Sequence, residues 1–312
     1  MTLLYYDPIF LEHDTGSHPE CANRILPTVR QLNQIAMHLH CARPSWLPIS
    51  DARIERVHVP EYLESLRLFV EQGGGYIEQD TVVCPRSLDV AKMAGGAVCD
   101  AVGRVVEGKA KQAFCLVRPP GHHALANAPM GFCLLNNVAL GARLATEELG
   151  LDRVMIVDWD VHHGNGTQAI FWEDERVGFY SIHRYPFYPG TGAEEETGYG
   201  AGLGTTCNIP VAYGTSRNDY LSAFRTSLEQ FAARIQPQLI LISAGFDAHR
   251  DDPIGSLGLE SEDFAVLTRI VMDIAAVHAG GRIVSVLEGG YNPTAVCESV
   301  EHHLQELLAE PV

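Results

Sequence analysis

The sequence predicts an α/β fold: an open, mostly parallel sheet of about eight strands with helices on both faces. Three observations carry this. Short runs rich in Val, Ile and Leu recur along the chain, longer apolar patterns with three-to-four spacing lie between them, and Pro/Gly clusters fall in short connections. Near-continuous apolar runs are what strands covered on both faces require.

The first strand is TLLYYD, followed by a helix over 88–107 and the strand AFCLV. A helix over 134–149 leads to the strand RVMIVDWDV, then VGFYSIH and TCNIPV follow. A helix over 215–235 precedes LILISAGF, a helix over 261–279 precedes RIVSVLEGG, and a helix over 293–309 closes the chain. With 312 residues, 46% hydrophobic and 20% charged, the chain suits one large core better than two, so a single domain over 1–312 is expected. No internal repeat or low-complexity tract suggests a linker.

Formal net charge is −17, pI is about 5.2 and no Lys/Arg block occurs. The footprint for binding nucleic-acid phosphates is therefore missing, and a cationic substrate is tolerated better than an anionic one. The N-terminus lacks a basic leader and the apolar runs are too short to span a bilayer, so a cytoplasmic protein without membrane attachment is expected. Cys21, Cys41, Cys84, Cys99, Cys115, Cys133, Cys207 and Cys297 form no C-x-x-C pair and read as reduced thiols, several in apolar runs. The stretch TGAEEETGYGAGLG (191–204) is long for a compact domain, which marks a functional or mobile loop, with Glu194 to Glu196 expected to be a solvated face. Neither it nor Gly73 to Gly75 is a phosphate loop, since no Gly-Lys-Ser/Thr follows.

The chemistry concentrates in VDWDVHHGNGT (157–167). On a continuing strand, side chains alternate faces, so Asp158, Asp160 and His162 should project to one side and Val157, Trp159 and Val161 to the other. Two carboxylates and an imidazole packed together need a cation or a proton among them, and a metal is the economical answer. His163 should be structural. Three further strands run into polar residues: AFCLV into His122 and His123, LILISAGF into Asp247, and RIVSVLEGG into Tyr291. In open α/β sheets ligands bind beyond the carboxyl ends of strands, so the four segments can share one crevice.

RPPGHHA, GFCLLNN, VDWDVHHGNGT, SIHRYPFYPGTG, SAGFDAHRDDP and LEGGYN resemble, in this order, the motifs of histone deacetylase-like amidohydrolases of the arginase/deacetylase superfamily. GSHPECANR and VHVPEYLESL resemble its N-terminal motifs, so the resemblance covers essentially the whole chain. Asn165 and the long loop look like the class II branch and its bacterial relatives.

The resemblance implies that Asp160, His162 and Asp247 hold one Zn2+, with Fe2+ an alternative that this ligand set does not strongly exclude. It pairs His122 with Asp158 and His123 with Asn165. A carboxylate raises an imidazole's pKa while an amide only orients it, so His123 should stay neutral as general base and His122 should be the more often cationic. Tyr291 would donate to the oxyanion. Gly131, Phe132 and Tyr188 would form a substrate channel, Asp80 a rim acid, and Ser181 with Asp158 part of a structural K+ site. Position 254, acidic in polyamine-selective relatives, is Ile254 here.

The implied activity is hydrolysis of the amide in an acyl-lysine peptide or another acylated alkylamine. Three alternatives stand beside it: an acylpolyamine amidohydrolase, a non-catalytic acyl-lysine binding module, and an arginase-type dinuclear manganese site with His249 as the spare ligand. The first leaves the chemistry unchanged. Retention of Tyr291 and both histidines argues against the second, and the single aspartate in SAGFDAHR against the third. Substrate identity, acyl length and oligomeric state are not legible, a homo-oligomer being compatible with everything above.

Overall fold

The structure, a computed structural model, describes residues 1–309. Among them the chain forms strands β1 (Thr2–Tyr5), β2 (Cys41–Ala42), β3 (Gly75–Glu78), β4 (Thr81–Val83), β5 (Gln112–Cys115), β6 (Val154–Asp158), β7 (Val177–Arg184), β8 (Thr206–Val211), β9 (Leu239–Ala244) and β10 (Ile283–Leu287). The α-helices are α1 (Leu26–Gln34), α2 (Asp51–Ile54), α3 (Pro60–Glu71), α4 (Ser87–Val106), α5 (Asn137–Glu147), α6 (Asn165–Ile170), α7 (Arg217–Ile235), α8 (Asp263–His278) and α9 (Pro293–Leu308).

Eight strands make one sheet in the order β2-β1-β5-β10-β9-β6-β7-β8, and every neighbouring pair is parallel. Helices α4 and α5 pack on one face, α7, α8 and α9 on the other, giving the single α/β domain that the apolar runs imply. The order places β5, β10, β9 and β6 side by side in the middle of the sheet. Their carboxyl ends therefore open into one continuous crevice. All four strands are wholly buried, which is why their sequences show no polar alternation.

Several elements depart from the expectations. The eighth strand is the two-residue β2, too short to leave a pattern, and β3 and β4 form a separate antiparallel hairpin. Helices α1, α2, α3 and α6 are additional. Helix α5 starts at Asn137 rather than 134, because Asn136 caps it by accepting the N–H of Ala139 at 3.1 Å. Strand β6 ends at Asp158, so Asp160 and His162 are placed by a loop and not by strand alternation. Trp159 and Val161 are nonetheless fully buried.

Below the loop, Trp159 meets Phe224 of α7 edge-on at 6.3 Å between ring centroids, and Phe224 meets Tyr180 of β7 at 5.8 Å. These rings anchor the start of the loop to the helix layer. Phe224→Ala should cost about 3–5 kcal/mol through lost burial and the cavity left behind, read as a lowered urea midpoint. A loss below about 1 kcal/mol would show that this ring is not an anchor.

Candidate active site

The segment after β6 folds back over the crevice. Asp158 Oδ1 accepts the N–H of Asp160 at 3.1 Å, and Asp160 Oδ1 accepts the N–H of His162 at 2.9 Å. Each carboxylate thus ties down the backbone two residues ahead. Asp247, beyond β9, accepts the N–H of Val161 at 2.9 Å, and Asp160 Oδ2 accepts that of Gly289, beyond β10, at 2.8 Å. Three strand ends are laced together by carboxylates.

Asp160, His162 and Asp247 each offer one ligand atom, all within 4.8 Å of one another and all buried. His162 Nδ1 stands 3.0 Å from Asp160 Oδ1 and 3.1 Å from Asp247 Oδ2. Burial and the neighbouring Asp160 carboxylate push the Asp247 pKa up. Two carboxylate oxygens and one imidazole nitrogen therefore face a point that calls for a cation, and this donor set suits a divalent metal with open positions. The backbone leaves the space: a Cβ on Gly289 would lie 2.2 Å from Asp247 Oδ2, and one on Gly245 would lie 2.2 Å from Asp160 Oδ2. The residues fit a metal. His249 lies outside this group, its ring meeting the N–H of Asp251 and the hydroxyl of Ser261.

Two histidines flank the cluster with ring centroids 4.0 Å apart. His122 Nδ1 donates to Asp158 Oδ2 at 3.0 Å, and His123 Nδ1 to Asn165 Oδ1 at 2.7 Å. Burial disfavours the charged form of both. For His122 the Asp160 and Asp158 carboxylates outweigh burial and hold the pKa up at about 10. For His123, burial together with the His122 and His162 rings holds it well below the ordinary value. His123 is then neutral, with its free Nε2 lone pair available.

Tyr291 follows Gly289 and Gly290 and packs edge-on against Phe132 at 5.6 Å. Tyr188 stands edge-on to His123 at 5.2 Å and His162 at 6.0 Å, and burial with the nearby Asp80 carboxylate raises its pKa. Asp80 also accepts the N–H of Gly131 at 3.2 Å. A Cβ on Gly131 would lie 2.4 Å from His123 Cδ2, so only glycine admits the chain so near that ring. Ile254 is half-buried in a turn against Asp247, whose carbonyl accepts the N–H of Ser256 at 2.7 Å. Ser181 lies opposite Asp158 in the β6–β7 register, but its hydroxyl is held by His183 at 2.9 Å.

Residues 18–307 match the family described as Histone deacetylase domain. The chain belongs to the histone deacetylase family. It is 40% identical over 250 residues, 80% of this chain and 66% of the relative, to a histone deacetylase-like amidohydrolase of Pseudomonas aeruginosa. A probable deacetylase of Archaeoglobus fulgidus is 38% identical over 94% of this chain and 82% of its own length. The crystal structure of the HDA15 HD domain superposes with TM-score 0.93 at 34% identity, covering 99% of this chain and 91% of that one. As a member of this family the protein is a hydrolase acting on amides.

Several residues around the candidate site escaped the sequence reading. Phe187 stacks on His162 at 5.3 Å. Asp252 accepts the N–H of Tyr291 at 2.6 Å with one oxygen and those of Ile254 and Gly255, both at 2.9 Å, with the other, joining two site loops. Buried Glu288 accepts the N–H groups of Gly121 and His122 at 2.6 and 3.1 Å, and burial pushes it up to about 7. Glu196 belongs to the run expected to be solvated. Glu194 and Glu195 are exposed, but Glu196 turns inward to Gln168 and to the N–H groups of Gly192 and Ala193.

Glu20 and Arg24 stand in GSHPECANR, whose resemblance was noted without a function. Arg118 meets Glu20 through two bonds of 2.6 and 2.7 Å, Arg24 meets it at 3.0 Å, and Arg24 donates to the carbonyls of Glu288 and Gly290 at 2.5 and 2.6 Å. Burial opposes the Glu20 charge, but Arg118 and His13 hold its pKa well below the usual range. Glu20→Gln leaves two buried guanidinium groups short of an anion and should cost about 3–5 kcal/mol at pH 7. A depressed pKa stabilises the fold above the unfolded-chain value, about 4.3, and this stabilisation fades as pH falls through the folded value. The penalty, read from urea midpoints, should accordingly shrink in acid; an equal penalty at pH 7 and at acid pH would exclude charge as its cause.

Proposed function

We propose that the protein is a zinc-dependent deacylase that hydrolyses the amide of acyl-lysine or a similar acylated alkylamine. The observation that carries this reading is the convergence of Asp160, His162 and Asp247 beside two histidines with different partners. Asp160, His162 and Asp247 would hold the ion, which would supply Lewis acidity to the acyl carbonyl and to a water molecule. Zinc and iron(II) both suit two carboxylates and one imidazole.

The side chains do the rest. Asn165 fixes the His123 ring with Nδ1 as donor, leaving Nε2 to take a proton from the attacking water. His122, paired with the Asp158 carboxylate, would be the more often cationic of the two and would stabilise developing negative charge, and one of the pair would protonate the departing nitrogen. The Tyr291 hydroxyl donates to the oxyanion of the tetrahedral intermediate. Phe132 and Tyr188 would flank the methylene stem, with Gly131 between them and the site and Asp80 at the rim holding the substrate backbone. Ser181 and Asp158, neighbours across paired strands, would contribute to a structural potassium site.

A cytoplasmic location fits a chain in which no helix among the described residues is long and apolar enough to cross a membrane, and in which all eight cysteines are free. The same acidic chain without a basic block fits a small acylated amine or acyl-lysine peptide better than a nucleic acid.

Turnover of a panel of acyl-lysine peptides and acylpolyamines by purified enzyme, with metal content measured in parallel, tests the reading. Asp247→Ala should lower bound metal and abolish hydrolysis in a folded protein; full activity in a metal-free variant would overturn the proposal. Tyr291→Phe should lower kcat about a hundredfold with little change in substrate binding, whereas a rise in KM alone would make Tyr291 a binding residue. Ile254 offers no charge to the distant cation of an acylpolyamine, so acyl-lysine substrates should have the higher kcat/KM. Ile254→Glu should shift the ratio about fivefold to tenfold toward monoacetylated spermidine, as a charge contact of about 1 kcal/mol would. A wild-type preference for the polyamine would reverse the substrate assignment.

A further inference from the structure

The connection from β7 to β8 carries Phe187 and Tyr188, whose rings face His162 and His123. Its conformation rests on the inward-turned Glu196. Oε1 accepts the N–H groups of Gly192 and Ala193, each at 3.2 Å, and Oε2 accepts the side-chain amide of Gln168 at 2.5 Å. Gln168 stands on α6, whose first residue is Asn165, the partner of His123. The amide oxygen of Gln168 accepts from Asn208 of β8 at 2.7 Å and from His163 Nε2 at 3.0 Å, while His163 Nδ1 meets the Thr191 hydroxyl at 2.8 Å. Loop, helix and strand are closed into one ring of contacts around a buried imidazole.

The chain fits tightly at this point. Gly192 has φ of +90°, and a Cβ there would lie 2.4 Å from His183 Nε2 and 2.6 Å from His163 Cγ. Three N–H donors converge on the two oxygens of Glu196. A carboxylate accepts from all of them, whereas an amide of the same size must turn its own NH2 toward at least one. Hydrogen bonds to an ionised acceptor are also the stronger kind. The charge of Glu196, and not its volume, is what the loop requires.

We propose that Glu196 is a positioning residue for substrate: it holds the β7–β8 connection so that Phe187 and Tyr188 form one wall of the channel, and so sets affinity for the acylated stem. This rests on the deacylase reading above. Glu196 touches no reacting atom and acts only through the loop. The hydrogen bonds that hold Asp160, Asp247 and the backbone of Tyr291 come from other residues, so the chemical step is left largely intact.

The test compares wild-type holoenzyme with Glu196→Gln, measuring kcat and KM on an acyl-lysine peptide and hydrogen exchange at the Gly192 and Ala193 amides. KM should rise about tenfold with kcat within about threefold, and both amides should exchange about tenfold faster or more. A side chain that only fills space would make Gln as good as Glu, so unchanged KM and unchanged exchange overturn the proposal. A fall in kcat at constant KM overturns it equally. Should Glu196→Gln not fold, Gln168→Leu cuts one link of the same ring, and an unchanged KM there is equally fatal. If the wild-type enzyme turns over no acylated amine, the functional reading fails, and the exchange rates still decide whether Glu196 holds the loop.

Discussion

The site depends on one electrostatic constraint: four carboxylates, Asp158, Asp160, Asp247 and Glu288, are completely buried where adjacent strands end. Removing an ionised carboxylate from water has an effective penalty of several kcal/mol even after the protein relaxes. Backbone N–H groups answer part of it, from Gly121, His122, Asp160, Val161, His162 and Gly289. The remainder falls to imidazoles and to the cation that the donor set invites. Glycines at 245 and 289 are needed because any Cβ there would occupy the space of the carboxylate oxygens.

The same charges separate two chemically identical side chains. His122 and His123 are consecutive and equally buried, yet one faces carboxylates and the other an amide. Burial lowers both; only His122 has enough negative charge near it to reverse the effect. A cationic ring and a neutral ring side by side suit charge stabilisation and proton transfer at one bond. Around this centre Glu20, Arg24 and Arg118 form a second buried ion cluster that grips the chain leading into Tyr291 through two of its carbonyls.

The central strands were legible because each is buried on both faces and reads as an uninterrupted apolar run. Very short or largely exposed elements were not: β2 has two residues, and the β3 strand of the hairpin is largely exposed. The structure brings the candidate ligands Asp160, His162 and Asp247 within reach of one another, though not by the strand alternation expected for Asp158, Asp160 and His162. Their convergence comes from a loop beyond Asp158 folded back by its own carboxylates, not from strand periodicity. Asp252 and Phe187 stand in SAGFDAHRDDP and SIHRYPFYPGTG, whose resemblance gave them no role, and Glu196 carried no recognisable signal. An acid beside other acids in a glycine-rich stretch looks like a solvated turn until its donors are known.

The amino-acid sequence by itself determined the layered α/β fold, the family and the inventory of polar residues at the ends of β5, β6, β9 and β10. It could do so because burial and chain reversal leave local marks in residue type and spacing. Only the tertiary structure decided that those four strands are neighbours, that Asp252 joins two site loops, and which of three consecutive glutamates turns inward. Those outcomes depend on charges and N–H groups brought together from segments far apart in the chain, and no local pattern encodes the distance between them.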